Sequence, residues 1–305
     1  MKKKRKKNSQ WKRELPLHLM ILPSAIMVFI FSYIPLYGLT IAFKKFNPAK
    51  GLFGENPWCG LDNYAYIFSL PNIGRVFSNT LLIAVAKIIF GMIIAIAVAL
   101  LLNECRCRFL KRNVQTLIYF PYFISWIILG GIMTDILSPS DGIINQLISF
   151  WGADPVYFLG DNRIFPGTLV VSDIWRNFGY NSIVYLAAIT SIDPSLYEAA
   201  AIDGAGRWKQ TLHITLPGMS TIIILMCILS LGNVLNAGFD QVYNLYSVQV
   251  YESGDIIDTL VYRIGLQQAQ FGPSTAVGLL KSVISFILIS FAYLFAWKKY
   301  DYRVF

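Results

Sequence analysis

The chain has 305 residues, of which 55% are hydrophobic and only 14% charged, and its mean hydropathy is positive. A soluble domain is nearer a quarter charged, so the composition excludes a soluble globular enzyme and points to an all-α, polytopic membrane protein. There is room for several spanning helices and short loops, but not for a further soluble catalytic domain of ~100 residues or more.

A basic segment, residues 1–16, opens the chain and contains MKKKRKKNSQWKR. The apolar stretch 17–43 follows. It exceeds the ~7 to 15 residues of a signal-peptide core, and no clear small-x-small cleavage site precedes Lys44, so a retained first helix is expected. Pro23 and Pro35 are tolerable there because neighbours in a membrane bundle satisfy the freed carbonyls. Since a span needs ~20 mainly apolar residues, five more stretches qualify: 76–103, 114–137, 165–190, 214–236 and 275–297. About six transmembrane helices are therefore predicted, in one membrane domain of residues 17–297 with a short tail, 298–305. Between the third and fourth stretches, Pro139, Asp141, Gly142, Gly152, Pro155, Gly160 and Asp161 punctuate pieces too brief to span. This part is expected to be an outer loop with an interfacial element.

Positive charge sets the orientation. The amino-terminal run, Arg106, Arg108, Lys111 and Arg112, then Arg207 and Lys209, and finally Lys298, Lys299 and Arg303 fall on one side, predicted to be the cytoplasm with both termini in it. The opposite loops carry fewer, chiefly Lys44, Lys45, Lys50, Arg163 and Arg263, together with Asp154, Asp161, Glu252 and Asp255. Much of the +9 charge is thus topological, and nucleic acid is not an expected partner. Cys105 and Cys107 lie on the reducing side, Cys227 in a helix and Cys59 in an outer loop, which leaves Cys59 without a partner for a disulfide. Cys105-x-Cys107 lacks further ligands nearby, so no metal site is expected. His18 and His213 read as interfacial residues at helix ends.

Polar residues inside spans are costly in lipid and face an interior or a cavity. The fourth span is richest. Asp173, Arg176, Asn177, Tyr180 and Asn181 recur at three- and four-residue steps and are expected to share one helical face toward a pathway or a subunit interface. Asp173 and Arg176 are close enough in sequence to pair with each other. Asn233 and Asn236 follow in the fifth span, with Asp240, Gln241, Tyr243 and Asn244 placed near the outer surface. Trp126 and Asp135 lie in the third span, Asp135 as a solvated helix end. The candidate substrate-pathway residues are Trp126, Arg176, Asn177, Tyr180, Asn181, Asn233, Asn236 and Tyr243, because planar hydrogen-bonding groups beside aromatic rings suit sugars. Lys281 is expected to snorkel at its helix end. Lys87, near the middle of the second span, would cost ~2.5 to 3.5 kcal/mol facing lipid and must face protein or water. Its neighbours Ala84, Gly91, Ala95 and Ala99 form a small-residue stripe, which favours a packing role over a transport role.

The segment 198–217, EAAAIDGAGRWKQTLHITLP, lies in the cytoplasmic loop 191–213 and its approach to the fifth span. Asp193-Pro194-Ser195 supplies a turn. Ser195 is the predicted helix cap and Glu198 its capping-box partner. Ala199, Ala200 and Ala201 expose little side chain, and Gly204 and Gly206 permit a bend and a close backbone approach. Pro217 is expected in the first turn of the fifth helix. An ordinary amphipathic surface loop is the competing reading.

The spacing Glu198-Ala199-Ala200, Gly204, Ile214-x-Leu216-Pro217 resembles the signature loop of type I ABC importer permeases of the binding-protein-dependent sugar and polysaccharide transport family. Trp175 to Asn181, Gly238 to Leu245 and Asp255 to Thr259 extend the likeness over nearly the whole chain, toward permeases related to the larger maltose-transporter subunit. The resemblance implies a non-catalytic permease subunit in a bacterial cytoplasmic membrane, forming half of a pathway for oligosaccharides. It also implies a second homologous permease, two nucleotide-binding ATPase subunits and an extracellular solute-binding protein as partners. The signature helix would be the coupling helix, with Glu198, Ala199, Ala200, Ala201, Asp203, Gly204, Ala205 and Gly206 as its ATPase-facing residues. No cofactor is expected in this chain. ATP and Mg would be bound by the partner ATPase, since Gly204-Ala205-Gly206-Arg207-Trp208-Lys209 lacks the glycine before lysine and the following hydroxyl of a phosphate loop. A secondary transporter, or a permease for another small solute, is the alternative. No catalytic pair marks an intramembrane enzyme.

Overall fold

In the computed structural model the backbone is described for residues 2–300 and the side chains for 14–294 and Lys298. The basic side chains before Glu14, together with Lys299 and Arg303, lie outside the described residues. Helices make up almost all of the regular structure: α1 Lys2–Val28, α2 Asp62–Ser69, α3 Ile73–Glu104, α4 Arg108–Tyr119, α5 Trp126–Ile136, α6 Ile143–Phe150, α7 Phe165–Thr190, α8 Pro194–Ile202, α9 Arg207–Gln210, α10 Leu216–Gly218, α11 Ser220–Gly232, α12 Phe239–Leu245, α13 Tyr251–Gly254, α14 Ile257–Tyr262 and α15 Phe271–Tyr300.

Three helical stretches are long and apolar enough to cross a membrane, Glu14–Phe43, Ile73–Glu104 and Phe271–Leu294. There are up to five if each of two bent pairs counts as one span. The fourth predicted span, α7, is a single helix of 26 residues with the predicted bounds. At 1.5 Å per residue it is ~39 Å long, but its polar residues dilute its apolar character. The third predicted span is broken: α4 with its following turn meets α5 at 102°. There the backbone turns extended at Ile124 and Ser125. Ser125 restarts the helix by accepting the Ile128 N–H on its hydroxyl. The fifth is bent by 57° between Gly218 and Ser220. Pro217 therefore sits just before a break in a helical run that began at Arg207, rather than in a first turn.

The chain divides into two compact units, one holding residues up to 67 with Ile264–Leu279, the other Phe68–Arg263 with Leu280 onward. In the first, the helix continues past Val28 as a π turn, Phe29–Tyr33, and a 3-10 stretch, Ile34–Phe43. Pro35 has no N–H for the ladder, which accounts for the change of register around it. None of the apolar window of this span is buried, as befits a helix that is apolar all round. An isolated bridge pairs Lys44 with Trp58, and Asn63 closes the loop by donating to the carbonyls of Ala42 and Lys44.

The second unit is organised by α3 and α7, which pack against one another more extensively than any other pair. Two apolar cores hold them. One gathers Ile83 and Ala84 with Phe165, Leu169, Val242 and Ile256. The other gathers Ala95 and Ala99 with Tyr185, Ala188, Ile189 and Met219. Small residues on α3 permit this approach. Between the cores Lys87 of α3 and Asp173, Asn177 and Asn181 of α7 stand among apolar neighbours, and the helices do not fill the space. The loop 138–164 contains α6, whose Ile143, Leu147 and Phe150 are exposed.

Lys281 does not snorkel. It pairs with Asp258, because α15 brings it beside α14, where a carboxylate within the protein satisfies the ammonium.

Candidate functional site

The gap between the two cores is a cleft of about 400 Å³. Its α3 wall is Ala84, Lys87, Gly91 and Ala95, and its α7 wall Asp173, Asn177, Asn181 and Tyr185. The third side is Met226, Ser230, Asn233 and Asn236 on and after α11, ending at Ala237 and Gly238. Four-residue steps place Asp173, Asn177 and Asn181 in one row along α7. Asn236 donates to the Asn233 side chain at 3.1 Å, and Asn233 donates to the Leu229 carbonyl at 3.3 Å. The amide groups of Asn177 and Asn181 add donors and acceptors at the opposite wall.

The predicted single polar face of α7 is in fact two. Arg176 and Tyr180 turn away from the cleft toward the break between α4 and α5. The Arg176 guanidinium donates to the Ile124 carbonyl at 3.1 and 3.2 Å and to the Tyr122 carbonyl at 3.0 Å. It also lies over the rings of Tyr122 and Trp126. Tyr180 stacks on Tyr122, with centroids 3.9 Å apart and planes 3° apart. Asp173 and Arg176, close enough in sequence to pair, do not pair with each other. Asp173 instead faces Lys87, 3.7 Å away. A 102° break frees carbonyls that need donors, and a guanidinium with five N–H groups satisfies several at once. Trp126 packs beside this clamp, and Tyr243 joins an aromatic group with Phe239 and Tyr262. Of the eight predicted pathway residues, Asn177, Asn181, Asn233 and Asn236 line the cleft, whereas Trp126, Arg176, Tyr180 and Tyr243 do not.

Gln241, expected near the outer surface, is fully buried. Its amide donates to the Leu169 carbonyl and the Ser172 hydroxyl, both at 2.7 Å, and its oxygen accepts from Lys87. Ser230 and Gln241 were the residues least visible in sequence. The available signal was Ala237-Gly238, small residues that interrupt an apolar run.

At the far end of α7 the chain turns into α8. The cap is Asp193, not Ser195: its carboxylate accepts the Ser195 N–H at 2.9 Å with Pro194 at the first helical position. That hydrogen bond holds the Asp193 carboxyl below the usual carboxylate range. Glu198 consequently lies too deep in the helix for a capping box. The other end is a Schellman motif. The Ala205 N–H donates to Ala200 O at 2.8 Å and the Gly204 N–H to Ala201 O at 3.1 Å. It requires the left-handed φ of +75° that Gly204 adopts. Glu198, Ala199, Ala201, Asp203, Gly204 and Gly206 are exposed, Ala200 and Ala205 half-buried. Ile202 and Trp208 project into the open, 87% and 74% exposed, larger than a purely solvated turn needs. Tyr197 bonds the Thr215 hydroxyl, and Arg207 pairs with Glu104 at 2.8 Å, securing the segment to α3 and to the run that leads into α11.

Residues 87–298 match the family described as "Binding-protein-dependent transport system inner membrane component". The chain belongs to this family. The permease is 42% identical over 276 residues, 90% of its length and 86% of the relative's, to the polygalacturonan/rhamnogalacturonan transport system permease protein YteP of Bacillus subtilis (strain 168). It is 40% identical over 290 residues to protein LplB of the same organism, covering 95% of the permease and 91% of that protein. Among solved structures it is similar to a chain of a bacterial ABC transporter involved in the import of the acidic polysaccharide alginate, with a TM-score of 0.88 and 37% identity over 95% of this chain and 98% of that one. A second alginate ABC transporter structure, in complex with an alginate pentasaccharide-bound periplasmic protein, gives a TM-score of 0.87 at 37% identity, covering 94% of this chain and 96% of that one. The permease is a multi-pass, non-catalytic membrane subunit of an ABC importer. Membership sets aside the secondary-transporter alternative.

Proposed function

We propose that the permease forms half of the translocation pathway for oligosaccharides, with fragments of acidic polysaccharides as the preferred class, and that α8 is its coupling helix. The observation that carries this reading is the continuity of α7: one helix bears Asn177 and Asn181 in the cleft and runs directly into the capped, exposed α8. Planar amides on facing walls suit hydroxyl-rich rings, which need many directional donors and acceptors. The named cargo of YteP and of the alginate transporter supports the acidic class. A second homologous permease would complete the pathway around the cleft. Two ATPase subunits would hold ATP and Mg and grip α8, and an extracellular solute-binding protein would deliver the sugar, as the binding-protein complex of the similar alginate transporter suggests. Both termini, α8 and α9 then lie on the cytoplasmic side, in keeping with the lysine and arginine distribution.

The test is uptake of labelled oligogalacturonides by membranes containing the permease with its partner subunits and binding protein. ATP-dependent accumulation that needs the binding protein is expected, and its loss on replacing Gly204 with a bulky charged residue without loss of membrane insertion. Unchanged uptake in that variant overturns the coupling role; accumulation of neutral but not acidic oligosaccharides overturns the acidic class.

A further inference from the structure

The cleft is closed at its end away from α8, and the closure is polar. Lys87 donates to the Ala237 carbonyl at 2.6 Å and to Gln241 Oε1, and Gln241 in turn holds Leu169 and Ser172 of α7. Ala237 and Gly238 close the non-helical link between α11, which ends at Gly232, and α12, and Gly238 takes a φ of +94°. Lys87 thus ties α3, α7 and that interruption into one knot. On one side of the knot lies the apolar core of Ile83, Phe165, Leu169 and Val242. On the other lies the asparagine-lined cleft. The Lys87 side chain is only 9% exposed, and Asp173 stands 3.7 Å away, at the limit of an ion pair, 24% exposed toward the cleft. A buried ammonium is costly unless it is fully partnered. If the interruption moves away, Lys87 loses two acceptors at once and has a carboxylate within reach to take their place.

We infer that Lys87 is a positioning residue for transport: through Ala237 and Gln241 it holds shut the end of the cleft away from α8, and the switch of its ammonium to Asp173 accompanies opening. A lysine that only fills space beside a small-residue stripe needs neither the carbonyl of an interrupted helix nor a second, waiting acceptor. The inference rests on the proposed pathway role of the cleft.

The experiment uses the whole transporter, with partner permease and ATPases, and two readouts that need no sugar. In intact cells, with the four native cysteines replaced, Ser230→Cys in the cleft is exposed to a membrane-impermeant maleimide. In membrane vesicles the basal ATPase rate is measured. K87M keeps the aliphatic stem and removes the donors. Labelling at position 230 and basal ATPase are both expected to rise about tenfold, the factor that one charge-assisted hydrogen bond is worth. K87R should return both toward the parent values. Gln241→Leu should raise both as well and add little on top of K87M, because the two residues act in one knot. Parent-like labelling and ATPase in assembled K87M or Gln241→Leu complexes overturn the inference. Failure of both variants to assemble also overturns it, since the knot would then be a folding element. Failure of the oligosaccharide reading appears separately, as absent uptake by the parent transporter while the labelling difference persists.

Discussion

Arg207 and Glu104 form an ion pair of 2.8 Å that fastens the segment after α8 to the end of α3, the helix whose middle carries Lys87 to the cleft. Both side chains are about half exposed. Such a pair contributes only ~0 to 1 kcal/mol to stability, so its value lies in fixing one element against another. Arg207→Glu should leave thermal stability within ~1 kcal/mol of the parent but lower uptake per ATP hydrolysed. The charge-swapped double variant, Arg207→Glu with Glu104→Arg, should recover coupling. Parallel assays of uptake and ATP hydrolysis check this.

Gly204 carries the left-handed residue of the Schellman motif. Gly204→Val places a β-branched side chain where left-handed backbone costs ~1 to 2 kcal/mol, and the end of α8 should fray. Membrane insertion should persist while co-purification of the ATPase subunits falls. A pull-down from detergent extracts against total membrane protein separates the two outcomes.

Neighbouring residues of α7 should respond differently. Asn177→Ala removes a cleft amide and should raise the KM for oligosaccharide transport about two- to tenfold, the range of one hydrogen bond, with assembly intact. Arg176→Ala strips the donors from the Tyr122 and Ile124 carbonyls at the break. It should lower the yield of assembled complex with little change in KM among the molecules that remain. Kinetics normalised to purified complex distinguish them.

Tyr180 acts through its ring. Tyr180→Phe should be nearly silent, whereas Tyr180→Ala loses the stack on Tyr122, worth ~0.5 to 1.5 kcal/mol beyond the area it buries. A thermal-shift series on the purified complex reads the difference. A rise in KM in Tyr180→Phe would put the hydroxyl in the pathway after all.

The elements legible in the chain were those encoded locally. The bounds of α7 coincide with its predicted span, because an apolar run ended by a Pro-containing turn is a property of consecutive residues. The exposed turn of α8 was legible for the same reason: alanines, a glycine and a proline at close spacing dictate a short helix with a left-handed stop. Even there the sequence points to Ser195 as the cap where the structure uses Asp193, since both lie within one turn and only the backbone path decides which oxygen reaches a free N–H.

What α7 does with its polar residues was not legible. Arg176 and Asn177 are adjacent and equally polar, yet one closes a break 52 residues back in the chain and the other lines the cleft. Gln241 looked like a surface residue because its partners, Lys87, Leu169 and Ser172, are distant in sequence. Lys281 looked like a snorkelling end until α14 placed Asp258 beside it.

By itself, then, the sequence determined the membrane class, the extent of most spans and the segment that resembles a coupling helix, because hydrophobic length and turn chemistry act over a few residues. Only the tertiary structure decided which polar residues meet. Lys87 and Ala237 are 150 positions apart, and a hydrogen bond over that separation depends on how α3 and the link between α11 and α12 pack together, which no local pattern records.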